Sequence, residues 1–178
     1  RSLVSCSRGA GGLMLARELD AGSAARRDNL GTVLFMRGKV PDAIKEYEIE
    51  VRLVPDDPRA HSDLGTALLA QSDFTRAIPE LRRAIQLDPK FGRAYSGLAV
   101  STQRLGHSDE ATAAWNTALS LIDRMTDREK YRTLGSYYLG IVQNYEKAAE
   151  NYTALVTAYP ADSGGFANLA LAHFYLHD

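Results

Sequence analysis

A single cysteine, Cys6, stands among the 178 residues, so the chain holds no internal disulfide framework and no cysteine-pair zinc motif. An excess of either charge is also missing. The 21 lysines and arginines face 22 aspartates and glutamates, a formal net charge of −1, which supplies neither a basic field for nucleic acid nor a polybasic tail for anionic lipid. No apolar run approaches the roughly 18 residues that a membrane-crossing helix needs. Proline is scarce, at six, so its positions carry information. What is plentiful is ordinary globular material, 45% hydrophobic and 24% charged, enough to bury a core.

Both ends suggest a fragment. The chain opens on Arg1 and stops at His177-Asp178, which by register is the middle of a structural unit. Leu3-Val4-Ser5-Cys6 has the spacing of a bacterial lipoprotein box, whose apolar segment would lie upstream. An ordinary thiol is the preferred reading. The location expected is therefore cytoplasmic, with a lipid-anchored periplasmic protein as the alternative.

The chain repeats itself. Leu30-Gly31, Leu64-Gly65, Leu98-Ala99, Leu134-Gly135 and Leu169-Ala170 mark one site, with leucine spacings of 34, 34, 36 and 35. Downstream of the first four come Ala43, Ala77, Ala111 and Ala148, each followed four residues later by Tyr47, Leu81, Trp115 or Tyr152. Twelve residues beyond each alanine the unit closes at Pro55, Pro89, Asp123 or Pro160. Small residues let two helices approach, and the bulky residue one turn on fills the space between neighbouring pairs. Gly38, Ser72 and Gly106 fall where the paired helices turn, and the closing prolines stop the second helix. Pro79 falls inside a second helix, where a slight bend is expected.

These columns resemble the tetratricopeptide repeat, over roughly residues 13 to 178. The resemblance implies an all-α, right-handed superhelical solenoid of antiparallel helix pairs, about four full repeats with a half repeat at each end. On this register residues 1–12 form a disordered or boundary segment and 13–23 a remnant second helix. Repeats occupy 24–57, 58–91, 92–125 and 126–162, and 163–178 is the first helix of a truncated repeat. Departures are Arg27 and His61 in a column that is often aromatic, Glu50 in place of a small residue, and Asp123 in place of a closing proline. Asp123 and three extra residues predict an altered angle or looser junction around Arg124 to Asp127. Residues 126–162 also look like repeat segments that follow bacterial serine/threonine kinases. None of a kinase's own motifs is present.

The resemblance implies a concave face, lined by the first helix of each pair, that binds a protein or extended peptide. Candidate residues before the marker leucines are Asn29, Asp63, Thr133 and Asn168, and those five residues after them include Phe35, Leu69 and Gln103. Arg59 and Arg93 occupy equivalent positions near helix starts, and Arg132 lies one turn further along its own helix. The family's chaperone-tail pattern clamps a terminal carboxylate. Asn29 and Arg93 fit it, and Asp63 and Gly97 contradict it.

No catalytic set, cofactor motif or metal site is expected. His173 and His177 have a spacing that can place two ligands on one helix face, but the metalloprotease glutamate is missing between them. Arg8 to Gly12 lacks the lysine of a phosphate loop. Arg76, Arg82 and Arg83 read as a solvated patch paired with Glu80 and Asp88 at helical spacing, without the aromatic platforms that RNA binding uses. The expected function is a protein-interaction scaffold, an accessory region of a larger bacterial protein. The alternative is a regulatory segment of a multidomain enzyme such as a serine/threonine kinase, and end-to-end self-association of the truncated array is a third possibility.

Overall fold

Each helix pair needs a reversal, and four backbone positions among the described residues show where it occurs. Gly38 (φ 73°), Ser72 (φ 64°), Gly106 (φ 80°) and Gln143 (φ 53°) are left-handed, and each ends the first helix of a pair. The computed structural model describes the backbone of residues 7–177 and the side chains of residues 22–177. Cys6 and the lipoprotein-like residues before it lie outside the described residues. The helices are α1 (Ser7–Met36), α2 (Val40–Leu53), α3 (Pro58–Ala70), α4 (Phe74–Leu87), α5 (Gly92–Arg104), α6 (Ser108–Ser120), α7 (Asp127–Tyr137), α8 (Tyr145–Ala158) and α9 (Ser163–His177). They stack as an all-α helical repeat solenoid.

The local sequence explains most boundaries. Asp57, Asp73 and Asn144 accept backbone N–H bonds at the starts of α3, α4 and α8, and Thr126 with Glu129 forms a reciprocal capping box on α7. Pro58 sits in the first turn of α3, where its missing N–H costs nothing. Pro79 lies inside α4, which continues through it to Leu87.

One boundary differs from the sequence expectation. A turn was expected near residue 23, between a remnant helix and the first helix of a repeat, yet α1 is a single helix of 30 residues. Residues 7–12, read as part of a boundary segment, belong to it. The other junctions between units carry a proline or an added turn; here only Gly22-Ser23 interrupts an alanine-rich stretch, and one glycine costs about 1 kcal/mol in a helix.

The core is built from small residues facing large ones. A Cβ added at Gly31 would lie 2.6 Å from the Tyr47 ring, at Gly65 2.7 Å from Leu81 Cγ, and at Gly135 2.8 Å from the Tyr152 ring. Ala43, Ala77, Ala111 and Ala148 are all buried, as are Tyr47, Leu81, Trp115 and Tyr152. Each of these large side chains contributes about 1.5–3 kcal/mol by leaving water.

The buried cluster is not continuous. One part runs from Ala43 to Ala118 through α2–α6, and a second runs from Ala148 to Ala172 in α8 and α9. Between them lie the three extra residues. Two lengthen the linker from α6, which coils into a 3-10 turn at Ile122–Arg124, and the third is absorbed by a π-helical turn at Tyr138–Val142. Across this junction Trp115 meets Tyr137 with ring centroids 5.6 Å apart, and the Met125 methyl fills the space where a Gly92 Cβ would stand, 2.5 Å from it.

Neighbouring pairs are also tied on their second helices. Arg76 bonds Glu48, Arg82 bonds Glu110 at 2.7 Å and Arg83 bonds Asp56 at 2.9 Å. These partners belong to adjacent units, in place of the expected Glu80 and Asp88. Glu80 is taken by His61, whose Nδ1 lies 2.7 Å from its carboxylate while Nε2 lies 2.9 Å from the Pro55 carbonyl.

Candidate functional site

Stacking turns one face of α1, α3, α5 and α7 toward a common interior. The array curves far enough that Arg132 of α7 stands 6.0 Å from the Phe35 ring of α1. At the rim, a Cβ on Gly38 would come within 3.8 Å of Ser163 Oγ at the start of α9. Two adjoining cavities occupy the interior. The larger, about 110 Å³, lies among α3, α5 and α7; the smaller, about 70 Å³, lies toward α1. Thr66, Arg93, Arg128 and Arg132 line both.

The sequence-derived candidates divide between this interior and elsewhere. Phe35, Asp63, Leu69, Arg93, Arg132 and Thr133 line one or both cavities. Asn29, Arg59, Gln103 and Asn168 do not. Asn29 and Arg59 are exposed, with Arg59 3.5 Å from Asp57. Gln103 Nε2 donates to the Gly140 carbonyl at 3.2 Å, joining two turns across the α6–α7 junction. Asn168 lies on α9, and the Tyr152 hydroxyl is bonded by Ser136 at 3.0 Å.

The charges within the interior are paired internally. Arg93 reaches Asp63 at 2.9 Å, Glu129 at 3.4 Å and the Ser62 hydroxyl at 3.2 Å. Burial pushes the Asp63 carboxyl above its ordinary range, although Arg93 opposes this. Asp63 thus fills the position beside Arg93 that a ligand carboxylate would need, and two of the four clamp-like positions are an acid and a glycine.

Asp162, which caps α9 through a 2.9 Å bond from Gly165 N–H, is 1% exposed and accepts from both Arg128 and Arg132. Burial raises its carboxyl pKa, but Arg132, the Gly165 N–H and Arg128 together outweigh burial and hold it below the usual carboxylate value. Arg132 is lowered by burial first and by Arg128 and Arg93 next, against the pull of Asp162. Both values fall, which favours the charged form of the acid and disfavours that of the base, as one carboxylate serves two guanidiniums.

Arg128, Glu129 and Asp162 were missed in the sequence. Arg128 precedes Arg132 by one helical turn, a spacing that was available as a signal. Asp162 stands 34 residues after Arg128, and only the stacking of units reveals that pairing. Among the described residues no cluster of three or more potential ligands could hold a metal ion, and no helix is long and apolar enough to cross a membrane.

Residues 29–91 match the tetratricopeptide repeat family. No curated protein matches the chain. Among solved structures, the second tetratricopeptide domain of Spaghetti (RPAP3), bound to the HSP90 peptide SRMEEVD, is 23% identical with a TM-score of 0.58, covering 60% of this chain and 97% of that one. The TPR2B domain of yeast Sti1, in a complex with an Hsp70 peptide, is 26% identical with a TM-score of 0.57, covering 72% and 97%. MamA is 25% identical with a TM-score of 0.56, covering 79% and 84%. The repeat fold is a non-catalytic protein-interaction module. Residues 29–91 are thus tetratricopeptide repeats by their family match, and the same period and stacked helix pairs continue beyond them to α9.

Proposed function

We propose that this chain is a scaffold that holds a polypeptide partner in extended form along its concave face. The observation that carries this reading is the interior lined by four successive first helices, with two adjoining cavities and a continuous row of Thr66, Arg93, Arg128 and Arg132 between them. Hydroxyls and guanidiniums suit a peptide backbone, and Leu69, Val100 and Phe35 suit its side chains. Two similar domains were solved with chaperone-derived peptides, which supports a peptide as the kind of partner.

The internal pairing of Arg93 argues for a ligand other than one gripped by its terminal carboxylate at the clamp-like positions. A photo-crosslinking amino acid placed at Ser96, inside the larger cavity, or at exposed Gln86 on α4 tests the surface used. Peptides selected from a displayed random library should crosslink at Ser96. Crosslinking at Gln86 instead would move function to the outer face.

A further inference from the structure

The two ends of the larger cavity differ in how their charges are matched. At one end Arg93 alone faces Asp63 and Glu129. At the other, Arg128 and Arg132 share Asp162, whose second oxygen is taken by Gly165 N–H. Asp162 is covered, whereas the two arginine side chains are 26% and 30% exposed. A guanidinium carries five N–H donors, and the single shared oxygen leaves several of them without an anion. Phe35 covers one face of Arg132 without satisfying those donors.

The wall between the two ends is apolar or small. Leu69 and Val100 line it, together with Gly97, where a Cβ would lie 2.9 Å from Leu81 on α4. The half-open cavity of about 110 Å³ suits one aliphatic side chain. Arg128 and Arg132 lie at the edge of this same cavity, so one ligand segment can reach both features.

We infer that the cavity takes an aliphatic side chain of a partner polypeptide, and that Arg128 and Arg132 bind the side-chain carboxylate of an Asp or Glu neighbouring it. The inference rests on the concave-face reading above. It assigns the acid to a side chain within the partner, because Asp63 and Gly97 disable the positions that a chain end would need. The depressed Asp162 pKa accords with the same surplus of guanidinium.

The test begins with selection of random displayed peptides against the whole chain, followed by fluorescence-polarisation titration of the enriched sequences made with amidated C-termini. The expected consensus holds an aliphatic residue beside an acid, and its Glu→Gln version binds about tenfold or more weakly. Arg132→Gln leaves Asp162 paired with Arg128 and Gly165, so the fold is retained, and on this variant the Glu→Gln penalty should largely vanish. Ser96→Leu fills the cavity and should abolish binding of the aliphatic residue.

An equal Glu→Gln penalty on both proteins, or a consensus without an acid that Ser96→Leu still blocks, overturns this inference and leaves the concave-face reading standing. Peptides that bind Ser96→Leu unchanged, or no enrichment at all, overturn both. Binding that depends on a free C-terminal carboxylate overturns the assignment of the acid to a side chain.

Discussion

Glu50 of α2 occupies a position where the repeat pattern has a small residue, and its carboxyl is 4% exposed. Its Oε2 has no hydrogen-bond partner among the described residues. Burial first, then repulsion from Asp28, Asp63 and Asp57, raises its pKa from 4.5 to about 8, with Arg59 opposing weakly. The folded chain therefore keeps a proton on Glu50 that the unfolded chain releases. The sign follows from linkage: the stabilising protonation is complete below about 4.5 and is lost as pH rises through about 8. Within that window one proton corresponds to about 1.4 kcal/mol per pH unit. From about pH 5.5 to about pH 7.5 the loss amounts to about 3 kcal/mol, or about 6–12 °C in Tm for a chain of this size.

The single tryptophan, Trp115, is buried in the same cluster as the residues around Glu50 and reports its unfolding. Urea titrations followed by its fluorescence at several pH values would compare the native chain with Glu50→Gln. Other ionisable groups contribute to both proteins, so the difference between the two slopes isolates Glu50. The native chain should lose stability across the window more steeply than the variant. Parallel slopes would show that Glu50 is ionised and solvated in the fold, and the burial argument would fail.

Three further outcomes are expected. Gly65→Val, which places carbon 2.7 Å from Leu81 Cγ, should cost about 1–3 kcal/mol in thermal or urea unfolding, and its added cost should shrink when measured in a Leu81→Ala background. Ser72→Gly should stabilise by about 1 kcal/mol, because serine holds φ 64° at a steric cost that glycine avoids; an unchanged Tm would show that the turn carries no strain. Asp162→Asn should destabilise by about 3 kcal/mol at neutral pH by leaving Arg128 and Arg132 without an anion. In the native chain that contribution is full above pH 3.8 and disappears as pH falls through the lower folded value, so acid titration of the two proteins should converge.

The repeat columns made the helix pairs legible because each column encodes one local requirement. Gly31, Gly65 and Gly135 meet Tyr47, Leu81 and Tyr152, and the turn column at Gly38, Ser72 and Gly106 is left-handed throughout. The long α1 was not legible, since nothing in its sequence distinguishes a helix that continues from one that stops and restarts. Half of the interior was also hidden. Phe35, Asp63 and Arg132 could be placed on the inner face by register, but the sharing of Asp162 by two arginines depends on how one unit settles against the next. Gln103 followed the same register, yet its amide is engaged at the turns by the Gly140 carbonyl. Register gives the face of a helix, and the neighbouring unit decides whether a residue on that face is available.

The division of the buried cluster at α7 bears on cooperativity. Most repeat arrays exchange stability between nearest neighbours, and the weakest interface sets where melting can pause. Here that interface holds chiefly Trp115 against Tyr137, Met125 against Gly92, the Arg93–Glu129 ion pair and the Gln103–Gly140 bond. The segment α7–α9 can then open while α2–α6 stays folded, and amide exchange would register it as a separate, lower-energy opening. Trp115 fluorescence would follow the first part and the tyrosines of α8 the second. Transitions that fail to coincide would mean that a single midpoint describes neither half, and that the ligand cavity, which draws its walls from both, exists only while the two are joined.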